Sequence, residues 1–171
     1  MQTQYIIQQL AANAAVFETM LRGISKEVNE WKPAPDKWCL LQVVCHLYDE
    51  ELDDFRPRLT HVLEKPAEPL PPSNPLAWVE DRQYMQQHYE TMLSKFIAER
   101  KKTIDWLQSL KNPKWDNAFQ HPQYGPLRAR MFLINWLAHD YLHLRQITRL
   151  KYDYLKKHSS ESLLYAGDIW E

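Results

Sequence analysis

Apolar residues recur three and four positions apart along most of this chain, the spacing that lays one hydrophobic stripe on a helix of about 3.6 residues per turn. The first such run, 3–23, carries Ile6, Leu10, Ala14, Phe17 and Leu21 on one face and has Gly23 as its stop signal. A second begins at Trp38-Cys39 and continues through Leu40, Val43, Val44, Leu47 and Phe55, with Pro57 expected to kink or break it ahead of Leu63. A third covers 76–110, from Tyr84 and Tyr89 through Met92, Phe96 and Ile104 to Leu107, with a break expected near Asp81. The fourth, 127–151, is the most apolar of the set, which marks it as central.

The segments between these runs are punctuated by proline. Trp31-Lys32-Pro33-Ala34-Pro35-Asp36 forbids helix and reads as an ordered loop whose tryptophan plugs a bundle end. The stretch 64–75 is the proline-richest and reads as a crossover, and 112–126 reads as a further loop containing His121-Pro122-Gln123-Tyr124-Gly125. A polar, short-helix tail completes the chain. Four long helices with a long connection between the second and third predict an all-α four-helix bundle, one domain over 1–171, whose interior is a common place for metal sites.

Composition narrows the partners. Scarce glycine and few β-branched runs favour helices over sheets, and a net charge of −1 with no lysine/arginine stripe gives no electrostatic footprint for nucleic acid. Neither a secretory leader nor a bilayer-length apolar run is visible, so a cytoplasmic protein with no membrane partner is expected. Cys39 and Cys45 lie six residues apart on one expected helix, about 9 Å between Cα atoms and beyond the roughly 7 Å a disulfide tolerates. They are expected as reduced, packed thiols.

The candidate chemistry lies in the histidines. His139 and His143 are four residues apart in the fourth helical run, and i,i+4 side chains stack one turn apart, close enough for two imidazoles to meet one divalent ion. With seven histidines in the chain that spacing alone is a weak motif. Context strengthens it, because both rings share a face with Trp136 and Ile147, where buried polar groups need partners. A metal is one such partner, and hydrogen bonding to Tyr or Asp is the other reading. His46, among Val43, Cys45 and Leu47, is the best third ligand. Three imidazoles leave positions for water or substrate, as in catalytic sites. Asp49, Glu50 and Asp140 are candidate supporting groups or a general base, against the plainer reading of exposed helix charges. Arg56 and Arg58 are candidate holders of an anionic part of a substrate, and His121 a candidate at the site's mouth.

These residues together resemble the DinB/YfiT-like metalloenzyme family over nearly the whole chain. Trp38 through Leu47 is similar to the family's tryptophan-led second helix ending in the first histidine, and Asp49 through Leu59 to an acidic run followed by Arg-Pro-Arg. His121 through Gly125 looks like the loop before the last helix, and Trp136 through Ile147 like the closing helix with the paired ligands. The resemblance implies an up-down-down-up bundle with a divalent ion at His46, His139 and His143. Cys39 stands where the family often has a capping serine. A thiol caps poorly, so helix entry is expected to rest on Trp38 packing.

Spacing and resemblance together lead us to expect a metal-dependent transferase or hydrolase in which zinc or nickel, ahead of iron or manganese, activates water or a low-molecular-weight thiol. A homodimer acting on a small molecule is the accompanying expectation. The rival readings are a non-catalytic bundle that binds metal or a partner, and a small-molecule sensor.

Overall fold

In the computed structural model, which describes residues 2–167, the four helical runs become four long helical rods. α1 (Thr3–Leu21) ends where Arg22 turns extended and Gly23 takes a φ of 73°, a left-handed geometry that glycine reaches without a Cβ clash. A single-turn α2 (Lys26–Asn29) leads into the proline loop. There Trp31 packs edge-on against Tyr154, ring centroids 5.5 Å apart, and closes one end of the bundle.

α3 (Leu40–Glu50) starts with the Cys39 backbone N–H donating to Gln42 Oε1 at 3.2 Å. Helix entry therefore does not rest on Trp38 packing alone, since Gln42 supplies an acceptor for an otherwise orphaned amide. Pro57 does not break the rod. A π turn, Glu51–Phe55, joins α3 to α4 (Arg56–Glu64), and the wider turn takes up the disruption that a residue without an N–H imposes.

After the crossover come α5 (Pro75–Asp81) and α6 (Tyr89–Ser109), so the third run is two helices separated over 82–88, where a 3₁₀ turn (Tyr84–Gln86) intervenes, and the gap opens next to the expected break near Asp81. α6 is capped by His88, whose Nδ1 accepts from the Thr91 N–H at 3.3 Å. The loop expected at 112–126 holds instead an antiparallel hairpin, β1 (Ala118–His121) with β2 (Gly125–Arg128), paired from Ala118↔Arg128 to His121↔Gly125. Four-residue strands are too short to show a period in the sequence. The last helix, α7 (Ala129–His158), begins two residues later than expected and runs seven further.

Long-range contacts fix the directions. Leu21 meets Tyr89 and Leu10 meets Arg100, so α1 and α6 are antiparallel. Asn13 meets Asp140 and Met20 meets Lys151, so α1 and α7 run together. Asp49 meets Tyr84 and Glu51 meets Thr103, which sets the second rod parallel to the third. The topology is thus up-down-down-up, and the crossover is the connection that makes two consecutive rods parallel.

The core falls into two apolar halves. One gathers Phe17, Leu21, Leu41, Val44, Phe96 and Ile147; the other gathers Ile6, Leu10, Leu59, Ile104, Leu133 and Trp136. Between them lies a buried polar layer. Arg100 Nε donates to Glu51 Oε1 at 2.6 Å, and its two terminal nitrogens make a 2.7 Å pair of bonds to Asp140. Thr103, Trp136 and Asn13 complete the carboxylates' partners. Among the described residues no helix is long and apolar enough to cross a membrane.

Candidate metal centre

The three histidines stand at the same mid-bundle height as this layer, between α3 and α7. His139 and His143 project from adjacent turns of α7, and His46 comes from the facing turn of α3. His46 Nε2 lies 3.2 Å from His139 Nε2, which lies 3.0 Å from His143 Nε2, and all three ligand atoms fall within 4.8 Å of one another. The second-helix ring and the fourth-helix pair therefore do converge. Aromatic neighbours hold them: Trp38 packs on His46 at 5.0 Å between centroids, and Phe55 on His139 at 5.1 Å. Phe55 reaches this place from the end of the π turn, stacked flat on Trp136 at 5.2 Å.

Burial pushes His46 down to about 3, helped by the neighbouring His143, and His139 down to about 2, helped by both other histidines and Arg100. His143 is lowered by burial too, against its bond to Gln146. All three rings are thus neutral at physiological pH, the form in which imidazole binds metal. His143 Nδ1–H donates to Gln146 Oε1 at 2.8 Å, which puts that ring's lone pair on Nε2, facing the other two. His46 Nδ1 is buried with no partner among the described residues.

A divalent ion fits these donors. Nitrogens bound at about 2.0–2.1 Å in tetrahedral geometry sit about 3.3 Å from each other, close to the 3.0 and 3.2 Å found. Imidazoles alone satisfy the arrangement badly, because one N–H cannot serve both contacts of His139 Nε2 and leave no lone pair facing another.

Glu50 Oε1 lies 3.7 Å from His46 Nε2, one turn along α3. Burial, then the nearby Asp54, pushes its carboxyl up to about 8, and Arg58 offsets part of this. The other expected residues stand elsewhere. Asp49 turns away from the triad, one oxygen accepting from Tyr84 Oη at 2.6 Å and the other paired with Arg82 at 2.8 Å. Asp140 belongs to the Arg100 network, not to the histidines beside it in sequence. Arg56 pairs with Glu99. Arg58 donates to the Pro71 carbonyl at 3.3 Å and has Asp54 at 3.5 Å, so it ties the crossover to α4 behind Glu50. His121 Nδ1 accepts from the N–H groups of Gln123 and Tyr124 and closes its own hairpin.

Trp38 and His143 form part of the wall of an open cleft of about 680 Å³. Sequence reasoning missed Gln146 and Phe55 as supports. The i,i+3 spacing of Gln146 from His143 is a signal that finds the first, whereas the second depends on the π turn.

The DinB superfamily model matches residues 9–147, and the chain belongs to that superfamily. Among solved structures it is similar to YfiT from Bacillus subtilis, with 20% sequence identity, a TM-score of 0.75, and 87% of this chain and 85% of that one covered. That protein is described as a probable metal-dependent hydrolase with an unusual four-helix bundle topology. At this identity the likeness shows the fold. No curated protein gives a significant match.

Proposed function

We propose that this protein is a metal-dependent enzyme in which His46, His139 and His143 hold a divalent ion, zinc or nickel before iron or manganese, and activate a small nucleophile. The observation that carries the reading is the meeting of three imidazole Nε2 atoms within 4.8 Å beside an open cleft. Three protein ligands leave coordination open, and a cleft of this size suits a small molecule. A bound divalent ion supplies Lewis acidity that makes water or a thiol acidic near neutral pH.

The chain's own residues do the rest. Glu50, 3.7 Å from His46 Nε2, is placed to accept the proton that the nucleophile gives up. A dication nearby favours its ionised form against the burial that now opposes it. Trp38 and Phe55 exclude water from the rings' outer faces and fix their tilt. Gln146 holds His143 in the tautomer that presents Nε2. YfiT's description as a probable hydrolase supports the water route. The motif resemblance supports the low-molecular-weight thiol route, because characterised members of the resembled family include thiol-dependent transferases.

Protein purified without a nickel column is expected to carry a stoichiometric ion, and His143→Ala to lose it. Finding no ion in either sample overturns the reading. On metal-loaded protein, a panel of bacterial thiols with electrophiles, set beside ester and amide substrates, separates transfer from hydrolysis. Glu50→Gln is expected to keep the ion and lower kcat about 10²–10⁴-fold. An unchanged kcat removes Glu50 from the role.

A further inference from the structure

The cleft beside the histidines is charged in one sense only. Lys37, Arg145 and Arg149 line it, and among the described residues no carboxylate does. Its apolar wall is Trp38, Leu142 and Leu150. Leu142, Arg145 and Arg149 follow one another at three- and four-residue steps and form a single stripe on α7. The neighbouring stripe carries His139, His143 and Gln146, so one helix presents the metal ligands and the cations side by side.

The three cations are not equivalent. Lys37 has Asp36 at 3.0 Å, and Arg149 has Asp153 at 2.9 Å. Arg145 is exposed and makes neither a hydrogen bond nor an ion pair among the described residues. Its planar fork of donors matches a carboxylate or phosphate edge in two parallel bonds. A solvated arginine on a convex helix face needs no explanation. Here the guanidinium lines a concavity that also holds an indole, two leucines and a metal-ligand ring, the usual composition of a small-molecule site with a few orienting polar groups.

We propose that this cleft selects small molecules bearing an oxyanion, a carboxylate or a phosphate-type group, which Arg145 grips while the apolar body lies against Trp38 and Leu142. The naming of a substrate class rests on the enzyme reading above. The grip itself needs no metal. Lys37 and Arg149 are already paired with Asp36 and Asp153, so the grip rests on Arg145, and as an exposed charge contact it weakens as salt rises.

The test uses phenylacetate and benzylphosphonate as anionic probes and phenylacetamide as the neutral counterpart, titrated into metal-loaded and metal-stripped protein by calorimetry. In both forms the anions are expected to bind about tenfold or more tighter than the amide, the size of a hydrogen-bonded charge pair. Arg145→Gln is expected to erase that preference without changing metal content, and Lys101→Gln, a lysine on α6 away from the cleft, to retain it. Equal binding of anion and amide, or no anion binding, overturns the proposal. So does a preference that Arg145→Gln keeps, that Lys101→Gln loses equally, or that appears only with metal present, since the anion would then be reading the ion or the overall charge. The two readings fail separately: protein that never holds an ion but keeps an Arg145-dependent preference sinks the metal reading and leaves the oxyanion cleft standing.

Discussion

Two polar centres sit at the bundle's waist, built from adjacent residues, and they solve burial in opposite ways. Glu51 and Asp140 join Arg100 in a network where each carboxylate oxygen meets a donor from within the chain. Their immediate neighbours Glu50 and His139 turn to the other centre, where three imidazole nitrogens face one another. A helix rotates about 100° per residue, so consecutive positions serve different faces. The closed centre needs nothing from outside and organises the fold. The open one leaves imidazole nitrogens that the chain's own donors do not all satisfy and, on the reading proposed above, is completed by a guest, which is the physical distinction between a structural polar core and a binding site.

The largest effect that tests this contrast is the loss of Arg100. Arg100→Met leaves two buried carboxylates without their cation, and removing one partner of a buried pair costs about 3–5 kcal/mol. For a chain of this size that lowers Tm by roughly 6–20 °C, since each kcal/mol is worth about 2–4 °C. Thermal unfolding followed by circular dichroism reads it directly. A variant that melts within a degree or two of the parent would show that the network contributes little to holding the two apolar halves together.

Removing the guest from the open centre is expected to do less. An ion present at about a hundred times its dissociation constant stabilises the fold by about 2.7 kcal/mol, so chelation lowers Tm by roughly 5–10 °C. His139→Ala should melt where the chelated parent melts and should not respond to added zinc. If the alanine variant instead loses as much as Arg100→Met does, the histidines serve the core as much as they serve a ligand.

These two centres also divide what the sequence could reveal. The helical rods were readable because their apolar stripes repeat over four or more turns, and the histidine triad because i,i+4 spacing and a resembling motif point to the same three residues. The Arg100 network was not readable. Arg100 lies in Glu99-Arg100-Lys101-Lys102, which looks like a solvated face, and Asn13 lies among alanines. Only the approach of four helices shows which of these charges is enclosed. Asp49 and Asp140 were misplaced for a related reason: proximity in sequence to a ligand says nothing of which way a carboxylate turns, and both are claimed by arginines from distant segments. The Pro57 break became a bulge because tertiary packing on both sides favours a continuous rod, and the hairpin escaped because its strands are shorter than any period.

The smallest expected effect sharpens the contrast from outside both centres. Arg56 pairs with Glu99 at the bundle's flank, where Lys102 also reaches the same carboxylate at 2.9 Å. Burial pushes the Glu99 carboxyl up, but the bonds from Lys102 and Arg56 outweigh it and hold the group below its ordinary 4.5. A carboxyl lowered in the folded state adds stability that is present above the unfolded value and is lost as pH falls through the folded one. Arg56→Gln should therefore cost no more than about 1 kcal/mol at neutral pH, as partly exposed ion pairs do, and the difference from the parent should shrink below about pH 4. Urea unfolding across that range measures it. Anion binding in the cleft should be untouched, because Arg56 is committed to Glu99, and a loss of probe affinity in this variant would restore Arg56 to a substrate-holding role.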